Sequence, residues 1–261
     1  MGLGETRNIH RVIIHPQDPK TVWVGAIGSP WGEHEERGVF KTTDGGKSWE
    51  KVLYVDEKTG LADLVIDPNN PNKLVAAMWE HRRWPWYFNS GGPGSELYIS
   101  YDGGETWQQR TAEDGLPKGD LGRIGLAIAP SNSDIIYALV EAKKNGLYKS
   151  TDGGFNWKLV ADKGIGGRPF YYADIFVDPK NENRVFNIHT TADVSQDGGK
   201  TFERFIPTDL IHVDNHAFWI HPDNPKLIMN GNDGGFCLSR DGGETWDYAE
   251  NLPLGQFYHI R

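Results

Sequence analysis

Three charged residues occupy the same position in three apolar segments of the chain. Arg11, Asp63 and Asp174 each lie five residues before a proline that closes such a segment. The segments have the composition of β-strands, so the equal spacing predicts equivalent places in the fold. Charges inside apolar strands need partners or water. The pattern therefore predicts an ion-pair network, a site for a polar ligand, or a carboxylate pair of the kind that hydrolyses glycosides.

A second group of candidates lies in the run 212–216. In an extended chain alternate side chains point the same way, which would bring His212, Asp214 and His216 together. Two histidines and a carboxylate can bind a metal ion, and Asp214 can act as a general acid or base. The alternative is a hydrogen-bonded entry into a strand, and we predict no metal site. Asp214, His216 and Tyr172 are candidate ligand-binding residues.

The segment 79–95 concentrates aromatic and basic side chains. It contains Trp79, Trp84, Trp86, Tyr87 and Phe88 together with His81, Arg82 and Arg83. Aromatic faces flanked by arginine can stack on sugar rings or hold a peptide side chain. We therefore expect Arg83, Trp84 and Trp86 to contact a ligand. The alternative is that these rings plug a central channel or pack against a further structural unit.

The elements that must position these residues repeat along the chain. One eight-residue string occurs five times, at 42–49, 100–107, 150–157, 195–202 and 239–246, with its aspartates 44 to 58 residues apart. Three apolar runs precede each string, and the first of them ends in a proline. A fourth apolar run follows the string and completes the unit. Four short strands with turn residues between them are typical of a β-propeller blade.

The repeated string has the composition of a tight hairpin turn. Asp-Gly and Gly-Gly supply the positive φ angles that such turns need, and the carboxylate and hydroxyl groups can bond the local backbone. We assign structural roles to the aspartate and the closing aromatic ring of each string: Asp44, Asp102, Asp152, Asp197, Asp241, Trp49, Trp107, Trp157, Phe202 and Trp246. Calcium binding is disfavoured because each turn has one aspartate, with a glutamate besides in only two of the five, which is too few oxygen ligands for calcium.

The sequence therefore predicts an all-β propeller of four-stranded antiparallel blades. Five blades are expected at about 9–56, 57–112, 120–162, 170–207 and 212–250, with the start of a further blade at 255–261, so we expect one segment of a larger propeller. First strands line a propeller's channel, which would place Arg11, Asp63 and Asp174 at one level. Long connections at 28–37, 79–95, 111–122 and 161–171 would gather on one face, called here the long-loop face, where we expect the ligand.

Composition excludes several classes of protein. The 261 residues carry a net charge of −9, which repels nucleic acid. A single cysteine, Cys237, rules out an internal disulfide. We find neither a membrane-spanning apolar run nor a signal peptide in the sequence, and we predict no cofactor.

The five strings resemble Asp-boxes, the bacterial neuraminidase (BNR) repeats. The wider repeat unit resembles the propellers of sortilin-type receptors and of large bacterial BNR-repeat proteins often labelled glycosyl hydrolases. Segments such as NGNDGGFCLSRDGGETW are especially similar to the bacterial group. The resemblance implies export to the periplasm or beyond. A sialidase is disfavoured, because Arg204-Phe205-Ile206-Pro207 places the arginine before the aromatic residue, the reverse of the sialidase string.

The motifs and the resemblance lead to two expectations for the function of this chain. Because no complete catalytic string is present, we expect a non-enzymatic module that binds a peptide, protein or glycan on the long-loop face. The alternative is a glycoside hydrolase resembling xyloglucanases, which would act on a β-glucan through Asp174 or Asp214 with another carboxylate. The remainder of a longer propeller chain is a further expected partner.

Overall fold

The computed structural model describes residues 2–172, 174–209 and 211–251. Blade 1 contains β1 (Ile9–Ile14), β2 (Val22–Ala26), β3 (Gly38–Thr42) and β4 (Glu50–Leu53). Blade 2 contains β5 (Thr59–Ile66), β6 (Leu74–Trp84), β7 (Tyr87–Ser90), β8 (Leu97–Ser100) and β9 (Gln108–Arg110). The short β7 pairs with the far end of β6 and lies outside the four-strand order β5-β6-β8-β9.

The remaining three blades follow a one-turn 3-10 helix at Ala112–Asp114. Blade 3 contains β10 (Ile124–Ile128), β11 (Ile136–Val140), β12 (Gly146–Ser150) and β13 (Lys158–Ala161). Blade 4 contains β14 (Asp174–Asp178), β15 (Asn181–Ile188), β16 (Ala192–Ser195) and β17 (Glu203–Arg204). Blade 5 contains β18 (Asn215–Ile220), β19 (Ile228–Asn232), β20 (Gly235–Ser239) and β21 (Asp247–Tyr248).

In every blade the four main strands are antiparallel and pair in chain order. The prediction of an all-β propeller with five Asp-box blades is therefore confirmed. The predicted start of a further blade at 255–261 lies outside the described residues. The assignment of the whole chain to one segment of a larger propeller stays a prediction.

Each Asp-box turn is held by its own side chains, as blade 3 shows. The Ser150 hydroxyl donates to Asp152 Oδ1 at 2.8 Å and accepts the N–H of Gly154 at 2.9 Å. Asp152 also accepts the backbone N–H and the side-chain amide of Asn156, at 2.9 and 2.7 Å. These bonds pair the polar groups of a turn whose glycines have positive φ, for example +103° at Gly154.

Neighbouring blades meet where a large ring of one covers the Asp-box of the next. Trp23 of blade 1 is 1% exposed and donates its indole N–H to Gly103 O of blade 2 at 3.1 Å. A Cβ on Gly104 would lie 3.1 Å from the Trp23 ring, so the contact favours glycine. The turn also bonds the proline-containing loop of its own blade, as Gly153 does to Asp134 O at 3.0 Å. The Asp-boxes thus lie on the face opposite the long loops.

Candidate active site

A cavity of about 580 Å³ lies on the axis, where the first strands of all five blades meet. Its wall contains Arg11 from β1, Asp63 from β5, Asp174 from β14 and His216 from β18, and Leu126 belongs to the apolar part of the wall from β10. The three charged residues that share a spacing in the sequence therefore line one cavity.

The first strands deliver polar side chains to this cavity through irregular pairing. The register with the second strand shifts just before Arg11 in β1, just before Asp63 in β5, and just before Ala217 in β18. A β-bulge adds one unpaired residue and re-aims the side chains beside it. The same device recurs in three blades, always near the long-loop end of the first strand.

Arg11 joins the two carboxylates of the cavity. Its Nε lies 2.7 Å from Asp63 Oδ1, and its Nη2 lies 3.3 Å from Asp174 Oδ1. Asp63 also accepts the backbone N–H of Leu64 and of Leu126, each at 2.9 Å. With three donors directed at it, Asp63 holds Arg11 and connects blades 1, 2 and 3. The ion-pair network expected as one alternative is therefore present.

Asp174 is much less constrained than Asp63. The only hydrogen bond to its carboxyl within the described residues is the longer one from Arg11, and 25% of the side chain is exposed. Burial raises the pKa of Asp174 above its ordinary value, while the charges of Arg123 and Arg11 act in the opposite direction. A raised pKa and an oxygen without a hydrogen bond among the described residues are features of a carboxyl that can act as a general acid.

Arg123 and His10 belong to this cluster, although the sequence analysis did not select them. Arg123 Nη1 donates to Tyr171 O at 2.8 Å, and its Nη2 lies 3.4 Å from His10 Nε2. Burial and the two neighbouring arginines, Arg11 and Arg123, lower the pKa of His10 to about 4, so the imidazole is neutral near pH 7. One feature of the sequence could have identified Arg123 as a site residue, namely its position at the start of an otherwise apolar strand.

Tyr172 and Asp214 form a second polar pair beside the cavity. The Tyr172 hydroxyl donates to Asp214 Oδ1 at 3.0 Å, and burial together with this bond raises the pKa of Tyr172 to about 12. Asp214 has a φ of +61°, which is uncommon for a residue other than glycine. Its N–H donates to Thr190 O at 2.8 Å, which stabilises this conformation.

The run 212–216 is not extended, so the expected convergence of its three side chains is wrong. The positive φ of Asp214 breaks the alternation, and His212 contacts the carbonyl of Val213 through Nδ1 at 2.9 Å. His216 lies 2.9 Å from Asp233 and its ring packs 5.4 Å from that of Tyr172. In the described part of the chain no group of three or more metal-binding side chains occurs.

The aromatic segment 79–95 forms a β-hairpin rather than the expected loop. The far half of β6 pairs with β7, with Trp84 opposite Tyr87. Trp86 at the turn is 81% exposed and Trp84 is 37% exposed. Arg83 is exposed, and its guanidinium lies 5.4 Å over the Phe88 ring. The hairpin therefore presents two tryptophans to solvent on the long-loop face.

Two contacts attach this hairpin to the rest of the long-loop face. The Phe88 ring lies 5.7 Å from Phe170, in the connection before blade 4. Ser90 donates to Glu141 Oε2 at 2.6 Å, and the same oxygen accepts the N–H of Arg123 at 2.8 Å. Burial raises the pKa of Glu141. Glu141, also missed by the sequence analysis, thus links the aromatic hairpin to the strand that carries Arg123.

The fold and its repeats define the chain as an Asp-box β-propeller protein. The family model "BNR/Asp-box repeat" matches residues 98–109, the third strand and Asp-box of blade 2. A xyloglucanase of Acetivibrio thermocellus is 27% identical over 237 residues, which cover 85% of this chain and 24% of that protein. An oligoxyloglucan-reducing end-specific xyloglucanase of Emericella nidulans is 26% identical, covering 74% of this chain and 23% of that protein.

Solved structures show the same architecture. An ancestral GH74 enzyme superposes with a TM-score of 0.62 at 18% identity, covering 89% of this chain and 31% of its own. The GH74 enzyme of Niastella koreensis superposes with a TM-score of 0.54, also at 18% identity, covering 95% of this chain and 44% of its own. The chain spans about a quarter of the length of the curated xyloglucanases it matches.

These comparisons correct the functional expectation. The prediction of a non-enzymatic, sortilin-like binding module is wrong, because the relatives matched over most of the chain are glycoside hydrolases. The alternative reading, a glycoside hydrolase resembling xyloglucanases, agrees with them. Carbohydrate is accordingly the ligand class that the relatives support. Within the described residues, no helix is long and apolar enough to cross a membrane.

Proposed function

We propose that this chain contributes the catalytic face of a glycoside hydrolase that cleaves a β-glucan of the xyloglucan type. One observation supports this above all. A carboxyl with a raised pKa, Asp174, lines the axial cavity near the long-loop end of the first strands, in a propeller whose relatives are xyloglucanases. Because such polysaccharides lie outside cells, we propose that the protein acts in the periplasm or beyond.

Asp174 is the proposed general acid. Glycoside hydrolysis needs one protonated carboxyl to protonate the glycosidic oxygen as its bond to the anomeric carbon breaks. Burial favours the protonated form of Asp174, and one of its oxygens is free of other donors in the described residues. Arg11 binds the other oxygen, Oδ1. This contact orients the carboxyl and leaves its second oxygen available to a substrate. Asp63, whose oxygens are already occupied, acts by holding Arg11.

Asp214 is the proposed second carboxylate. It is fixed by the Tyr172 hydroxyl at 3.0 Å and by its unusual backbone conformation. In the proposed reaction Asp214 takes the proton of the water that attacks the anomeric carbon, or attacks that carbon itself. The anomeric configuration of the released sugar distinguishes these two routes, because direct attack retains configuration and water attack inverts it.

The exposed tryptophans of the hairpin are the proposed sugar-binding surface. Trp84 and Trp86 are exposed on the same side of the propeller as the strand end that carries Asp174. A glucan chain presents apolar faces of its pyranose rings, which stack on such side chains. Arg83 packs on Phe88, so we propose that it supports the hairpin and contacts the glucan only at its edge.

Single-carboxyl variants test this proposal. The experiment measures kcat and KM for release of reducing ends from xyloglucan by the unmodified chain, Asp174→Asn and Asp214→Asn. Removal of a general acid or base lowers kcat by about 10²- to 10⁴-fold. Asp223→Asn is the matched control, because Asp223 is 84% exposed on the opposite face and should retain full activity. Activity unchanged in Asp174→Asn, with folding verified, contradicts the assignment.

A further inference from the structure

A second pocket on the long-loop face is separate from the axial cavity. It has a volume of about 290 Å³ and lies between the 28–37 connection of blade 1 and the aromatic hairpin of blade 2. We call it the hairpin pocket. Three cationic side chains line it, Arg37, Lys58 and Arg82. This concentration of positive charge is notable in a chain whose net charge is −9.

Two of these cations have no anionic partner among the described residues. Arg82 is half-buried, and its Nε is buried without a hydrogen-bond partner. Lys58 is exposed, and its ammonium group has no ion pair or hydrogen bond in the same part of the chain. Arg37 is fully buried and is bonded only to the backbone carbonyls of Ile27, Ser29 and Gly32, at 2.6 to 2.8 Å.

Two acids, Glu33 and Glu80, also line the pocket, and neither forms an ion pair with its three cations among the described residues. Glu80 Oε2 accepts the N–H of Gly94 at 3.1 Å. Glu33 is exposed to solvent. A partly buried guanidinium without a carboxylate is costly, and an incoming anion would offset that cost.

The remaining wall fits a sugar ring. Trp84 is 37% exposed, and the Arg82 guanidinium lies over its ring, 5.4 Å from the ring centroid. His81 is buried, and its Nδ1 has no hydrogen-bond partner among the described residues. Burial and the charges of Arg37 and Arg123 lower the pKa of His81 to about 4, so it is neutral near pH 7. The volume is at the lower end for small-molecule pockets and suits one monosaccharide unit.

We propose that the hairpin pocket binds a carboxylate-bearing sugar of the uronic acid class. Its pyranose ring stacks on Trp84, and its carboxylate pairs with Arg82 and Lys58. This site is independent of the carboxylates proposed for hydrolysis. It would let the protein recognise an acidic substituent on a polysaccharide while the chain is cut elsewhere.

Calorimetric titration of the full chain with glucuronic acid and with glucose tests the proposal. We expect millimolar binding of glucuronic acid, with glucose at least about tenfold weaker, because a charge-assisted bond is lost. Arg82→Gln should weaken glucuronic acid binding by about tenfold. Arg240→Gln is the matched control, because Arg240 is exposed beside the Asp-box of blade 5, on the opposite face of the propeller. It should bind within about twofold of the unmodified chain.

Several results would overturn the proposal. Equal affinity for glucose and glucuronic acid would remove the role of the carboxylate. Unchanged binding by Arg82→Gln, or no heat up to about 50 mM glucuronic acid, would remove the site. Inorganic phosphate binding as tightly as glucuronic acid would refute the contribution of the sugar ring. If Arg82→Gln lowers Tm, Trp84→Ala is the alternative variant, because it removes the ring on which the sugar is proposed to stack and should also weaken glucuronic acid binding. Binding is measured without turnover, so failure to hydrolyse xyloglucan leaves this result unaffected.

Discussion

Replacing Ser150 with alanine removes the hydroxyl at the centre of one Asp-box. Ser150 is fully buried, and its oxygen donates to Asp152 while accepting the N–H of Gly154. Alanine leaves that buried N–H without a partner, at a cost of about 1–3 kcal/mol, and removes a hydrogen bond to a charged group. We expect a total loss of about 2–4 kcal/mol in the free energy of unfolding. For a chain of this size that lowers Tm by roughly 5–10 °C.

Thermal unfolding followed by tryptophan fluorescence measures this change. The control is Thr151→Ala, because Thr151 is the exposed neighbour in the same turn and its hydroxyl makes no hydrogen bond to a described residue. We expect its Tm to remain within about 1 °C of the unmodified chain. If Ser150→Ala and Thr151→Ala melt together, the hydroxyl does not hold the turn and the account of the Asp-box is refuted.

Three further predictions concern pH and the long-loop face. Hydrogen bonds lower the pKa values of Asp102 and Asp152 to about 2 from 3.8, so their stabilisation is complete above pH 3.8 and Tm should fall as pH approaches 2. Arg123→Gln removes a charge that lowers the pKa of Asp174, so the alkaline limb of the pH–rate profile should move to higher pH; an unmoved limb contradicts the acid assignment. Trp86→Ala should raise KM for xyloglucan about 2- to 10-fold without changing Tm.

Most of the fold can be predicted from local sequence because the same strand and turn pattern occurs in every blade. Each Asp-Gly-Gly turn needs positive φ angles and bonds its own backbone, so the turn, and with it the third hairpin of every blade, can be recognised one unit at a time. The hairpin at 79–95 was not predicted in this way. Its turn, Trp84-Pro85-Trp86-Tyr87, contains no glycine or asparagine, and its pairing is supported by aromatic contacts rather than by turn residues.

The candidate site was only partly predictable. Spacing from the prolines located Arg11, Asp63 and Asp174, because equivalent positions in repeated strands lie at equivalent places around an axis. The contacts of Glu141 and Arg123 depend on how separate blades meet, and no local pattern encodes them. The geometry at Asp214 was missed for a similar reason. Its positive φ is stabilised by Thr190 of the preceding blade, which a single strand does not reveal.

Product release from a panel of β-glucans, xyloglucan included, tests the central claim most directly. The comparison is between the unmodified chain and the double variant Asp174→Asn/Asp214→Asn, with Asp223→Asn as control and oligosaccharides identified by mass spectrometry. The account predicts release by the unmodified chain and the control, and none above background by the double variant. Equal release by the double variant, or no release by a folded unmodified chain, would contradict it.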